Sequence, residues 1–184
     1  MDEYVAKKQF VDLSRVELCG RILDVGGGGE GVISRLAGDS VVAIDRRADE
    51  LEETAGIGLK IVMDACHMAF LDAAFESVTS FYTLMYMSVE NCVMFFREAY
   101  RVLKPNGRLW IWDTNMSKPN GADVFIVPLE ITLPSNEVIT TGYGVGWKRE
   151  QSAEAVAKAA TDAGFAIEKA EACEGRFEMV CRKS

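Results

Sequence analysis

The 184-residue sequence predicts an α/β fold built on one mostly parallel sheet, and three observations predict it. The first is RILDVGGGGEG at Arg21 to Gly31, an apolar run that leads into four consecutive glycines and then a helical pattern. The second is recurrence: apolar runs at 41–44, 59–63, 78–84 and 108–112 alternate with helical segments, and three of the four are followed directly by an aspartate. Strands that alternate with helices belong to parallel sheets. The third is the closing pair, Phe165 to Cys173 and Arg176 to Arg182, joined only by Glu174 and Gly175. Strands joined so tightly must run antiparallel. The length prior expects a single domain over 1–184, with a lead-in at 1–20 and an insertion at 118–147.

In chain order, Tyr4, Val5, Phe10, Val11 and Leu13 predict a helix over about 3–16 with a partly apolar side, which either packs on the first strand or closes over a ligand. Strand one and the glycine turn follow, then a helix over 31–37 that ends near Gly38, and strand two at 41–44. Acids at the start of Ala48 to Thr54 suit the positive end of a helix dipole. Leu59 to Met63 is strand three. Val78 to Leu84 is strand four, after which Ser88 caps a helix over 89–103 whose Val89, Val93, Phe96, Tyr100 and Leu103 form an apolar stripe. Lys104 to Gly107 turns the chain into strand five at 108–112. In the region 118–147, extended segments around Pro134 to Glu137 predict a β-hairpin, either a lid or a subunit interface. Ser152 then caps a helix over 153–163 that ends at Gly164.

Composition narrows the chemistry. A formal charge of −8, with no basic cluster longer than a pair such as Arg46-Arg47, disfavours a nucleic-acid backbone and favours a small-molecule substrate. Five cysteines without C-x-x-C spacing argue against a disulfide framework or a metal site. The acidic first residues do not resemble a signal peptide, and no apolar run is long enough to span a bilayer, so no membrane partner and a cytoplasmic location are expected. The hairpin makes a homodimer an open expectation.

Gly26, Gly28 and Gly31 spell G-x-G-x-x-G, where a missing Cβ permits close backbone approach to a ligand. Asp24 lies inside the strand before the turn, and Asp45 ends the next one. Both fit a nucleoside; the alternatives are a satisfied buried acid for Asp24 and a helix N-cap for Asp45. Asp64 follows strand three, so three strands deliver carboxylates to one sheet edge. Asp113 and Asn115 reach the same edge from strand five.

These pieces carry a resemblance. ILDVGGGGEG, the acid of VVAID, DACHMAFLDAAFESV and REAYRVLKPNGRLWIWD resemble, in order and spacing, the segments of class I S-adenosylmethionine-dependent methyltransferases, and the similarity runs from 21 to 183. It implies a three-layer Rossmann-like fold with a seven-stranded sheet whose last strand is inserted antiparallel, here with the hairpin added after strand five. It also implies S-adenosyl-L-methionine as cofactor. Asp24, Gly26, Gly27 and Gly28 would hold the methionine portion and Asp45 the ribose hydroxyls. Asp64 would meet the adenine amino group, Ala65 would offer its N–H to the ring, Arg46 would stack on adenine, and Phe81 would border the methionine tail. Ala69 and Glu76 depart from the family's usual proline and aspartate.

Methyl transfer from a sulfonium requires chiefly alignment and exclusion of water, with neither metal nor covalent intermediate. Tyr82, Tyr86 and Asn115 are the candidate substrate contacts. His67, Tyr86, Glu90 and Asp113 are candidate bases, and none is singled out as catalytic. Two rivals stand beside this expectation: a nicotinamide-dependent oxidoreductase, which Asp24 and Asp64 disfavour, and a catalytically silent S-adenosylmethionine-binding subunit.

Overall fold

The structure is a computed structural model that describes residues 2–56 and 58–184. In chain order its elements are β1 (Glu3–Val5), β2 (Gln9–Asp12), β3 (Ile22–Val25), α1 (Val32–Ala37), β4 (Val41–Asp45), α2 (Ala48–Glu53), β5 (Leu59–Val62), β6 (Phe75–Phe81), α3 (Val89–Val102), β7 (Leu103–Thr114), β8 (Val124–Thr132), β9 (Val138–Gly146), α4 (Ala153–Asp162), β10 (Phe165–Cys173) and β11 (Arg176–Lys183).

Seven strands form the main sheet in the order β10-β11-β7-β6-β3-β4-β5. Only β11 runs against the others, since it pairs antiparallel with both β10 and β7 while the remaining pairs are parallel. The expected architecture is therefore present. Alternation along β3 divides the core. Leu23 and Val25 face α3 and α4, whose Phe95, Phe96, Ala99, Val102, Val156 and Ala160 are buried there. Ile22 faces the other way, among Val32 and Ile33 of α1, Leu51 of α2 and the apolar side of a second sheet.

That second sheet has four strands and contains the hairpin. β8 pairs antiparallel with β9 along its full length, and on its other edge pairs parallel first with β1 and then with β2. The helix expected at 3–16 is thus replaced by two strands. Its apolar residues follow period two rather than 3.6: Gln9, Val11 and Leu13 are buried whereas Phe10 and Asp12 are exposed. The open edge of β8 also needs hydrogen-bond partners, which no helix could supply. Tyr4 stacks on Phe125 with ring centroids 5.5 Å apart and lies 5.0 Å from Trp147, so this aromatic joins the second sheet.

Two boundaries differ. β6 begins at Phe75 and stops at Phe81 rather than running from 78 to 84, because Tyr82 turns into the left-handed region at φ 50°. β7 pairs with β6 already at Leu103, and residues 104–107 form an excursion between the Phe75–Leu103 and Ser77–Arg108 pairs. Among the described residues no helix is long and apolar enough to cross a membrane, and all five cysteines are free.

Candidate functional site

Strands β3, β4 and β5 end in register, with Val25 opposite Ile44 and Asp45 opposite Val62, so the residues that follow them converge on one edge. Crevices outside the carboxyl ends of parallel strands are where open α/β sheets bind ligands. Asp24 lies one residue inside that edge and is 3% exposed. Thr79 Oγ1 donates to its Oδ1 at 2.8 Å. Burial, offset by that bond and reinforced by the charge of Asp45, pushes the Asp24 carboxyl up to about 7. No cation pairs with it among the described residues.

The turn beside it is close-packed backbone. Gly26 has φ 73°, and any Cβ there would collide with the Thr83 side chain. A Cβ on Gly27 would stand 2.6 Å from Asp24 Oδ2 and 2.9 Å from the Ala43 methyl, so only glycine lets the turn lie against the acid. The N–H groups of Gly26 and Gly27 donate to the Ile44 carbonyl at 2.8 and 3.1 Å, and that of Gly29 donates to Glu50 O at 3.0 Å. The turn is thereby tied to β4 and α2.

Asp45 does not cap α2, whose N-cap is Arg47; its Oδ1 accepts the Arg47 N–H at 2.9 Å in a local turn. Asp64 Oδ1 accepts the Cys66 N–H at 2.9 Å, and Arg46 Nε lies 3.8 Å from Oδ2. The Cys66 hydrogen bond, aided by Arg46 and opposed by partial burial, holds the Asp64 carboxyl below the usual range. Ala65 and Phe81 are buried and Arg46 is exposed. Phe81 packs against Tyr82 and Trp112 at centroid distances of 5.1 and 6.1 Å.

The candidate substrate residues separate. Tyr86 is 50% exposed, at the end of a single 3-10 turn over 84–86, and burial of its phenol near Asp113 raises its pKa to about 12. Tyr82 is 2% exposed, and its hydroxyl donates to Gln9 Oε1 at 2.7 Å, so it faces β2 rather than the sheet edge. Asn115 Oδ1 accepts the Ala153 N–H at 3.0 Å, and its own N–H donates to Gly175 O at 2.7 Å, which commits it to the start of α4.

A polar network that the sequence did not announce holds the 82–88 segment. Asp113, fully buried, accepts from Leu84 N and from Gln151 Nε2, both at 2.8 Å. Burial, against these bonds, pushes the Asp113 carboxyl up to about 6. Arg149 donates from Nε to Met87 O at 2.7 Å and from Nη2 to Leu84 O at 2.6 Å. Asp113 is therefore scaffolding for this segment, and the other candidate bases His67 and Glu90 are exposed.

The hairpin reaches the same place. Tyr143 Oη donates to Glu30 Oε2 at 2.9 Å, Thr141 Oγ1 donates to Glu30 Oε1, and Arg35 Nη1 pairs with Glu137 at 2.5 Å. Burial, then the neighbouring Glu30 charge, drive the Tyr143 phenol well above its ordinary range. Sequence reasoning passed over Glu30, although a lone acid inside a glycine turn is a visible signal. Thr79, Thr83, Arg149, Gln151 and Tyr143 carried no signal at all, because their partners are distant in the chain.

Residues 23–111 match a family described as a methyltransferase domain. A comparison with curated proteins by sequence gives no match. An S-adenosylmethionine-dependent methyltransferase from Methanosarcina mazei superposes with a TM-score of 0.61 at 17% identity, covering 88% of this chain and 91% of that one. One from Mesorhizobium loti gives 0.62 at 16% identity over 88% and 90%. A Haloferax volcanii complex between the Trm112 methyltransferase activator and a candidate methyltransferase gives 0.65 at 14% identity over 92% and 85%. At these identities the structures share the fold.

Proposed function

We propose that this chain moves a methyl group from S-adenosylmethionine to a small-molecule nucleophile held beside Tyr86, a reading supported by the match of residues 23–111 to a family described as a methyltransferase domain. The observation that carries most weight is Asp24, a buried carboxylate without a cation, set against a turn where no side chain larger than hydrogen fits. A buried acid wants an opposite charge. The ammonium of the cofactor's methionine arm supplies one, and the bare backbone of Gly26, Gly27 and Gly28 admits the arm itself.

Asp45 would hold the ribose hydroxyls, a task for which a carboxylate at a strand end is suited. Asp64, Ala65 N–H and Arg46 serve the adenine, and Phe81 borders the methionine arm. When bound, S-adenosylmethionine would supply an electrophilic methyl group on a sulfonium that can leave as the neutral thioether. The work of the chain is alignment and exclusion of water. Tyr86 is the candidate acceptor contact on the edge. Tyr82 and Asn115 act behind it, one bracing β2 and the other α4.

An acceptor with an available lone pair needs no base, and the two buried acids nearest the loop are already hydrogen bonded. The charge of −8 supports a small acceptor over a nucleic acid. The test is incubation with methyl-labelled S-adenosylmethionine and a metabolite extract. Label in a small product supports the proposal; label only in RNA or protein overturns the acceptor class, and no transfer even with added protein fractions overturns the activity.

A second reading follows from the Haloferax volcanii complex: a methyltransferase that needs an activator protein, or a binder without catalysis. Either would retain the labelled donor without turnover, and protein fractions that restore turnover would favour the first.

A further inference from the structure

We propose that the β8–β9 insertion is latched to the glycine turn through Glu30, which makes Thr141 and Tyr143 positioning residues for the cofactor loop and couples donor binding to closure of the insertion. This rests on the donor site proposed above.

Glu30 is the only long side chain between Gly26 and Gly31, and both of its carboxylate oxygens are taken by the insertion. Tyr143 Oη donates to Oε2 at 2.9 Å and Thr141 Oγ1 donates to Oε1. Its carbonyl is also held, by Arg35 Nε at 2.9 Å. On the opposite side the turn is bound to α2, through Gly29 N–H to Glu50 O at 3.0 Å and Thr54 Oγ1 to Gly27 O at 3.3 Å. A loop of four glycines has little conformational preference of its own. What shapes it is therefore its ties to the rest of the chain: Gly26 and Gly27 N–H to Ile44 O in β4, the contacts from α2 and Thr54, and the Glu30 clamp from a strand more than a hundred residues away.

Charge-assisted hydrogen bonds from two hydroxyls to one carboxylate are directional and strong, so the insertion cannot move without pulling on Glu30. Tyr143 is half of a longer line. Its ring lies 5.8 Å from that of Tyr82, whose hydroxyl is bonded to Gln9 in β2. The second sheet and the glycine turn thus move as one body or come apart together. Coupling of this kind is reciprocal: if the latch improves donor binding, the donor must tighten the latch by the same factor.

The experiment follows amide hydrogen exchange in the full chain with and without S-adenosylhomocysteine, together with calorimetric affinity, for the native protein and for Tyr143→Phe, Thr141→Val and Glu30→Gln. In the native protein the ligand is expected to slow exchange in 138–146 as well as in 26–31. In the variants affinity should fall about tenfold, with slowing kept at 26–31 and lost at 138–146. A purely structural role would lower the melting temperature and leave the ligand-dependent exchange pattern unchanged. The latch is overturned if the ligand binds the native protein without slowing 138–146, or if all three variants keep affinity within about twofold. Absence of any binding by the native protein overturns the donor site instead, and the latch with it.

Discussion

Between pH 6 and 8 the Asp24 carboxyl changes charge, because burial and the neighbouring Asp45 raise it to about 7 from its ordinary 3.8. The native state then binds a proton that the unfolded chain releases. Stability of the ligand-free protein should fall as pH rises from about 4 to about 7 and level off above, which urea titrations at stepped pH would register. Ligand binding runs the other way. At the proposed site the ammonium of S-adenosylhomocysteine would pair with ionised Asp24, so its affinity should climb across pH 6 to 8; Asp24→Asn should flatten that profile and leave in the stability profile only the fall up to about pH 6 that Asp113 contributes. Affinity that falls over this interval would contradict the role of Asp24. If Asp45 holds the ribose as proposed, Asp45→Ala should weaken the same ligand by about 10- to 100-fold, measured calorimetrically, while unfolding changes little.

At the scale of elements, the amino-terminal strands make opposite demands on neighbouring side chains. Leu13 is fully buried beneath the second sheet whereas Phe10, three residues earlier, is 52% exposed. Leu13→Ala should therefore cost about 2–5 kcal/mol. Phe10→Ser should stay within about 0.5 kcal/mol. A helix over 3–16 would have put both residues on or beside its apolar side, so chemical denaturation of the two variants tells the arrangements apart. Arg149 joins the 84–87 turn to the segment after the insertion. Its guanidinium donates to Met87 O, Leu84 O and Gln151 Oε1. Arg149→Ala leaves two partly buried carbonyls without these donors and should cost about 1–3 kcal/mol. A melting temperature within error of the native one would show that the turn holds its shape without that contact.

At the scale of the whole molecule, the second sheet packs over one face of the main sheet, and the donor site proposed above lies where the glycine turn meets it through Glu30. A ligand bound there would stabilise both sheets. At a hundredfold excess over Kd, S-adenosylhomocysteine should add about 2.7 kcal/mol to stability. For a chain of this size that is a rise of roughly 5–11 °C in the melting temperature. A single transition should move upward. Two transitions, of which only one responds, would mean that the second sheet unfolds independently and that the seam transmits little.

Much of this arrangement is legible in one dimension wherever the signal is local. The GGGG turn, the aspartates after three of the four apolar runs, and the Glu174-Gly175 connection each depend on neighbours a few residues away, and together they specify the seven-stranded sheet and the edge to which Asp24, Asp45 and Asp64 are brought. The tertiary structure decided the rest. Residues 3–5 and 9–12 became strands because the unpaired edge of β8, more than a hundred residues distant, offers backbone partners that a local apolar pattern cannot reveal. Tyr82 turned from the edge because Gln9 accepts its hydroxyl, and Glu30 acquired its partners only when β9 folded over it. Periodicity and spacing encode what the chain does with its nearest neighbours; the pairing of remote polar groups is settled by which surfaces the packed core brings together.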